Sequence, residues 1–409
     1  MNHLLSNLLF VALLLCVEYS CSFTNPQDIV VNSKDTEKGI TPEELPYYTF
    51  AKQLEESINK GTPDFLNEHF EVSLVLAKLI REIGLPKNVA NDFLYDFQND
   101  IDVGAQIVVS LEGTGSYELL SIRGLPDKPS ALFRLIVNEE LNYHEVFLTP
   151  AQSADLVRVN DFCIYKGGLT FYETLKTVLL STLKEEQIQE LDTNRLSASE
   201  LAMIEYAPML DELTIAVQKQ DYGQALRLLK RLPEALKTDK MTTLLRLNIG
   251  YHLKNELLAD ALSDFRTAYP KNAVADFTLL NLAIAQKNNP DVLQYADAFG
   301  ELIPDICYLN IVKAKAYENQ GDFENAEALL KEALTIEPGN LDAYKHLAGL
   351  LLEEERYEDL MTLFAALKSH TDEVPENLLT NEKSKTFFSS EIYQNRERLA
   401  EEEKPSLEP

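Results

Sequence analysis

The pattern of apolar and polar positions changes character several times along this chain, and each change marks a boundary. Residues 4–17, LLSNLLFVALLLCV, form an almost unbroken apolar run. Residues 23–45, ending in KGITPEEL, are polar, contain Pro and Gly, and read as a tether. A helical period follows. In YYTFAKQLEESINKG, Phe50, Leu54 and Ile58 recur every four residues on one face, and Gly61 stops the run. Apolar spacing over Phe70 to Ile83 and over Val89 to Val109, parted by Gly84-Leu85-Pro86, predicts two more helices.

From Ser116 the period falls to two. Tyr117, Leu119 and Ser121 alternate with Glu118, Leu120 and Ile122; residues 124–129 supply a turn; Ala131, Phe133, Leu135 and Val137 alternate with Leu132, Arg134 and Ile136. Asn138-Glu139-Glu140 turns the chain into Tyr143 to Leu148, and a last strand is expected over Leu156 to Tyr165, ending at Gly167-Gly168. Helices followed by four consecutive antiparallel strands make an α+β domain. The sheet has to hide one face, and the leading helices are the available cover.

That order of elements, with the phrases AKQLEESINKGTPDFLNEHF, ALFRLIVNEELNYHEVFL and DFCIYKGG, resembles the nuclear transport factor two-like family over residues 46–180. The resemblance implies helices folded across a bent four-stranded sheet, forming a cone with a pocket. Members of that family include small-molecule enzymes and non-catalytic binding modules, so the fold alone does not choose a function.

After Leu169 the helical period returns and persists to about residue 368, and within it the chain repeats itself. Ala225, Ala261, Ala326 and Leu360 occupy equivalent points at multiples of about 34 residues, the tetratricopeptide period. In Tyr308 to Asn340 the order Ala314, Tyr317, Gly321-Asp322-Phe323, Ala326, Leu330, Ala333 and Pro338 resembles the tetratricopeptide repeat signature, with Asn310 and Lys313 departing from its usual apolar residues. Small Ala314 and Ala326 let two helices approach, Gly321 permits the tight turn, the large side chains fill the gap, and Pro338 ends the second helix. The next copy keeps Tyr344, Leu347-Ala348, Tyr357 and Phe364. Two copies upstream and a degenerate one over residues 275–303, with Pro290 at its turn, bring the total to about five, enough to bury a continuous core. Residues 181–370 are therefore expected to form an all-α, tetratricopeptide-like solenoid. Residues 371–409 read as an acidic tail in which Phe387, Phe388 and Ile392 stand at helical spacing and could cap the solenoid.

Composition narrows the function classes. Among 409 residues, 37 Lys and Arg stand against 66 Asp and Glu, a formal net charge of −29, which argues against nucleic acid as a partner. The apolar run at residues 4–17 is shorter than the ~20 residues a spanning helix needs. It reads as a signal peptide (residues 1–22) with a cut after Ser22, an uncleaved anchor being the alternative because Met1-Asn2-His3 carries no Lys or Arg. The mature chain is then expected outside the cytoplasm, secreted or periplasmic, with no membrane span. After the cut only Cys163 and Cys307 remain, and buried free thiols fit them better than a disulfide framework. Two Cys and six scattered His give no zinc-ligand spacing, so no metal or cofactor is expected.

Catalytic signatures such as G-x-S-x-G, H-E-x-x-H, C-x-x-C or a phosphate-binding glycine loop are missing from the sequence. The family likeness directs attention to a pocket above the sheet, where Tyr143, His144, Asp161 and Tyr165 could do acid–base work. Strand alternation separates them: His144 shares a face with Asn142, Val146 and Leu148, Tyr143 goes with Glu145 and Phe147, and Asp161 goes with Val159, Cys163 and Tyr165. Whether His144 meets Asp161 depends on register, and a packed sheet histidine with a turn aspartate is the simpler reading. The tetratricopeptide likeness implies a concave groove lined by first-helix residues, which maps to Arg246, Gly250, Lys254, Tyr308, Ile311, Lys315 and Lys345. A basic, aromatic-edged groove in so acidic a chain suits an acidic or C-terminal peptide segment. The sequence as a whole points to an exported, non-enzymatic adaptor that docks a protein or peptide, the alternative being a small-molecule binder or enzyme using the pocket of the first domain.

Overall fold

The computed structural model describes residues 40–98, 102–111, 115–137, 140–254, 256–270, 272–371, 373–379, 382–391 and 393–395. The expected signal peptide, nearly all of the tether, Ile392 and the end of the tail lie outside the described residues. Packing divides the chain into two units, one ending at Leu282 and the other beginning at Ala283.

In the first unit, helix α1 (Leu45–Asn59) buries Tyr47, Phe50, Ala51, Leu54 and Ile58, the stripe set by the four-residue spacing. Helices α2 (Asp64–His69) and α3 (Val72–Ile83) follow, the break between them falling at Phe70, whose backbone is extended. The expected single helix from Val89 to Val109 is instead two, α4 (Lys87–Gln98) and α5 (Val103–Leu111), because the Asp102 carboxylate accepts from the Ala105 amide (2.7 Å) and starts a new helix.

The sheet is an antiparallel meander in the order β1 (Ser116–Arg123), β2 (Ser130–Val137), β3 (Glu140–Leu148), β4 (Val159–Ile164). The β1–β2 turn needs a glycine, since Gly124 has φ +70° and a Cβ there would lie 2.0 Å from the Lys128 carbonyl oxygen. Strand β4 starts later than the apolar pattern suggests, because Ala154–Leu156 form a 3₁₀ turn. Strand β1 is an edge, and α1 closes it: the Asn59 amide donates to the Tyr117 carbonyl (2.7 Å) and accepts from the Tyr117 N–H (2.9 Å), while Glu55 accepts from the Leu119 N–H (2.9 Å).

The expectation that one sheet face needs cover is incomplete, because both faces are buried. The first carries Tyr117, Phe133, His144, Val146, Leu148 and Phe162 and belongs to the helix side. The second carries Tyr143, Cys163 and Tyr165, and helices from later in the chain cover it. The Phe277 ring stands 5.3 Å from Tyr143 and 6.2 Å from Tyr165, centroid to centroid. Leu244 and Val274 pack so closely over Gly168 that a Cβ there would lie 2.4 Å and 3.0 Å from them. The connection runs through α6 (Phe171–Thr182), started by a Thr170–Glu173 capping box, then α7 (Glu185–Gln189) and α8 (Ala198–Glu205).

Helical pairs then succeed one another: α9 (Ala207–Gln218) with α10 (Tyr222–Arg231), and, after the short α11 (Glu234–Lys237), α12 (Lys240–Leu253) with α13 (Leu257–Ala268). Next come α14 (Val274–Ala285), α15 (Asn289–Gly300), α16 (Ile306–Gln320), α17 (Phe323–Ile336), α18 (Leu341–Glu353) and α19 (Tyr357–His370). The 46–180 and 181–370 division expected from the sequence is thus not the division that packing makes: the helical pairs up to Leu282 join the sheet in one unit.

One backbone feature ties the pairs together. Between the two helices of each sits a left-handed residue: Gln220 (φ 58°), Lys254 (φ 49°), Lys287 (φ 53°), Gly321 (φ 78°) and Glu355 (φ 59°), at the tetratricopeptide step of about 34. Only Gly321 has the residue type this conformation favours. Left-handed backbone costs an ordinary residue ~1–2 kcal/mol, partly offset by the greater unfolded-state freedom of glycine. Replacing Gln220, Lys254, Lys287 or Glu355 with Gly should therefore stabilise the chain by ~0.5–1 kcal/mol each, and Gly321→Ala should cost ~1 kcal/mol, read as shifts in denaturant midpoint. If the glycine variants were uniformly destabilising, these turns would be held by the side chains that glycine removes.

In the second unit, α16 is buried nearly all round. Asp305, Asp322 and Asn340 cap α16, α17 and α18 through the Tyr308, Asn325 and Ala343 amides. Arg356, at the start of α19, grips Glu327 of α17 with both guanidinium nitrogens (2.6 Å and 3.0 Å). The guanidinium of Arg356 and the ammonium of Lys331 hold the Glu327 carboxyl down to about 2. Helices α20 (Pro375–Leu378) and α21 (Glu382–Phe388) follow, with Phe387 stacked on Tyr357 at 5.3 Å and near Phe364 at 6.4 Å.

Candidate functional site

The four candidate pocket residues fall into separate surroundings. Register places Phe133 and Ile164 opposite His144, and Phe147 opposite Asp161, so His144 and Asp161 lie on opposite faces of the sheet and do not form a pair. His144 is 2% exposed, its ring 5.6 Å from Tyr117 and 5.1 Å from Phe162. Burial in that apolar setting pushes its pKa down to about 3, so it stays neutral at physiological pH. Its Nδ1 has no hydrogen-bond partner, and neither has the buried Tyr117 hydroxyl.

Asp161 is a structural anchor. Its Oδ1 accepts from the Phe162 (2.8 Å) and Tyr172 (3.0 Å) amides and so fixes the start of α6 to β4; burial raises its pKa. Tyr143 packs on Phe277. Tyr165 donates to Glu145 Oε2 (2.9 Å), and burial holds its hydroxyl protonated.

Glu145 is the residue the sequence reading passed over. It accepts from the Tyr165 hydroxyl and from Ser130 Oγ (2.8 Å), and Arg123 stands 3.9 Å away. Beside it, Arg134 pairs with Glu118 at 2.5 Å. The signal available was its place between Tyr143 and Phe147 in the alternation of β3. With Tyr165 and Ser130 both donating to Glu145, the arrangement is a polar strut within the sheet.

The expected groove residues divide as well. Arg246 is 8% exposed and donates to Asp264 Oδ2 (2.7 Å) and to the Lys237 carbonyl (2.8 Å), so it ties the second helical pair together and does not face a partner. Lys254 is the left-handed turn residue. Gly250 sits where α12 crosses α13. Tyr308 and Ile311, at 2% and 0% exposure, are buried and present no surface to a peptide. Lys345 is exposed and Lys315 half-buried.

Counting back from the left-handed turn residue explains the division. Leu244, Phe277, Ile311 and Lys345 hold the same register in successive copies, as do Met241, Val274, Tyr308 and Asp342. In the first unit, Leu244, Val274 and Phe277 of this register rest on Gly168, Tyr143 and Tyr165. The face that the tetratricopeptide likeness assigns to a partner is there occupied by the chain's own sheet. In the last copy the register emerges at the surface: Asp342 is half-buried, Lys345 is exposed, and a Cβ on Gly349, one turn further along, would meet nothing within 4 Å. Gly349 and Lys315 share a register of their own, and between α16 and α18 Glu318 faces His346 at 3.7 Å.

Among the described residues, no group of His, Cys, Asp and Glu could hold a metal ion, and no helix is long and apolar enough to cross a membrane. Comparison with curated proteins and with solved structures finds no match. A tetratricopeptide repeat family model matches residues 319–376, which span α17, α18 and α19, and this supports a protein-interaction role.

Proposed function

We propose that the protein is an exported, non-enzymatic adaptor that binds an acidic peptide segment of a partner on the α16–α18 face of its second unit. The observation that carries this reading is Gly349. A glycine inside a helix costs ~1 kcal/mol against alanine, and beyond its own helical turn no atom lies within 4 Å of where its Cβ would be. A partner backbone passing close over α18 accounts for it. Lys345, one turn before it, and Lys315, at the same register on α16, supply the charge complement in a strongly acidic chain.

Export rests on the apolar segment at residues 4–17. A kinship of the sheet-containing part with nuclear transport factor two-like proteins rests on the order of helices and antiparallel meander. The non-enzymatic reading is supported by the separation of His144 from Asp161, the pairing a pocket-based acid–base site would have used. Titration of the full chain with labelled acidic and charge-neutral peptides tests the assignment. Acidic peptides are expected to bind more tightly, more weakly at high salt, and at least ~10-fold more weakly to a Lys315→Glu, Lys345→Glu double variant. Equal binding of both peptide classes, or unaltered binding by the double variant, would remove the α16–α18 face from consideration.

A further inference from the structure

Helix α10 of the first unit carries a cationic face that the α16–α18 reading does not use. The helix buries Ala225, Leu228 and Leu229 and turns Gln224, Arg227, Lys230 and Arg231 to solvent. Residues 222–231, YGQALRLLKR, hold three bases and no acid in a chain of net charge −29. In other helices cations find acids one turn away: Lys52 with Glu55, Lys331 with Glu327, Lys385 with Glu382. On α10 the neighbours one turn away are themselves cations, Arg227 standing three residues before Lys230 and four before Arg231. Like charges at those spacings weaken a helix. Among the described residues no carboxylate pairs with any of the three. The carbonyl end of the helix accounts for Lys230 and Arg231, but that field fades within the last turn and leaves Arg227 unexplained.

We infer that the exposed face of α10 docks an acidic segment of a partner protein, whose carboxylates stand where the helix lacks acids of its own. The stripe is one helix wide and ~10 Å long from Gln224 to Arg231. Carboxylates bound it at both ends. Exposed Asp221 caps the helix through the Gln224 amide (2.9 Å), and exposed Glu234 begins α11. A flat anionic bilayer would press its phosphates onto those carboxylates as well as onto the cations, and nucleic acid meets the same repulsion from an acidic chain. A single acidic strand or helix can lie along α10 alone, with its charges inside the ~8 Å screening length of the cations.

Labelled deca-glutamate titrated into the full chain carrying Lys315→Glu and Lys345→Glu tests the stripe, because that background reverses the charge of the α16–α18 face. Saturable binding that weakens as salt is raised is expected. Adding Arg227→Gln, Lys230→Gln and Arg231→Gln should weaken it about 10-fold. Glutamine is a good helix former, so α10 itself should persist, which far-ultraviolet circular dichroism checks. Arg227→Lys with Arg231→Lys keeps the charge and should restore binding. Hydrogen exchange should show added protection on α10, and none on α3, when the peptide is bound. The inference is overturned by no binding in the background chain, by equal binding to the glutamine variant, or by binding that leaves α10 exchange unchanged. Capture of the chain by phosphatidylglycerol vesicles without binding of deca-glutamate overturns it too. If Lys315→Glu with Lys345→Glu changes nothing while the glutamine variant loses binding, the α16–α18 assignment falls and the α10 stripe stands.

Discussion

Phe277→Ala is expected to cost the first unit about 3–5 kcal/mol, the range for removing a fully buried phenylalanine. Phe277 is 0% exposed and packs against Tyr143 and Tyr165, reaching the sheet's second face from α14. Removing the ring loses its buried area, leaves a cavity that neighbouring helices cannot easily close, and forfeits edge-on ring contacts worth ~0.5–1.5 kcal/mol per pair. Against a typical domain stability of ~5–15 kcal/mol, that leaves the unit marginal. Urea unfolding followed by far-ultraviolet circular dichroism measures the loss, and near-ultraviolet dichroism reports whether the tyrosines lose their fixed surroundings. Phe277→Leu should recover most of the loss, because it keeps much of the volume. A cost below ~1 kcal/mol for Phe277→Ala would mean that the sheet's second face is held by something else.

The seat of Phe277 also shows what the sequence could and could not reveal. The change of period from four to two and back located the meander and the helical pairs, because each period follows from backbone geometry alone. What covers a face does not follow from period. Strand β2, SALFRLIV, is apolar at nearly every position, the mark of a strand buried on both sides, and it was the available sign that the leading helices could not be the whole cover. Likewise Leu244 and Phe277 are apolar in the register assigned to a partner, a sign that this face is filled in the first unit. The pocket candidates turned on strand register, which sets Ile164 opposite His144 and Phe147 opposite Asp161 and so puts the two on different faces. Four of the five left-handed turns carry Gln, Lys or Glu, so no glycine advertised them, and the backbone is what reveals this shared turn conformation.

Gly250 and Gly349 lie within helices of different copies, and alanine at the two is expected to act with opposite sign. At Gly250 a Cβ would fall 2.6 Å from the Leu258 nitrogen, 2.8 Å from its Cα and 3.1 Å from the Leu257 carbonyl carbon. Those are backbone atoms of α13 and cannot rotate away, so Gly250→Ala must push α13 off α12. The helix-propensity gain of ~1 kcal/mol is outweighed by overpacking of ~1–3 kcal/mol or more, and a contact this short between backbones falls at the upper end. A net loss of ~2 kcal/mol is therefore expected from Gly250→Ala, measured by chemical denaturation. At Gly349 the added methyl meets no atom beyond its own helical turn within 4 Å, and the same substitution should stabilise by ~1 kcal/mol. If it does so while weakening binding of acidic peptides, the glycine is there for a partner's approach. Stabilisation with unchanged binding would place that partner elsewhere.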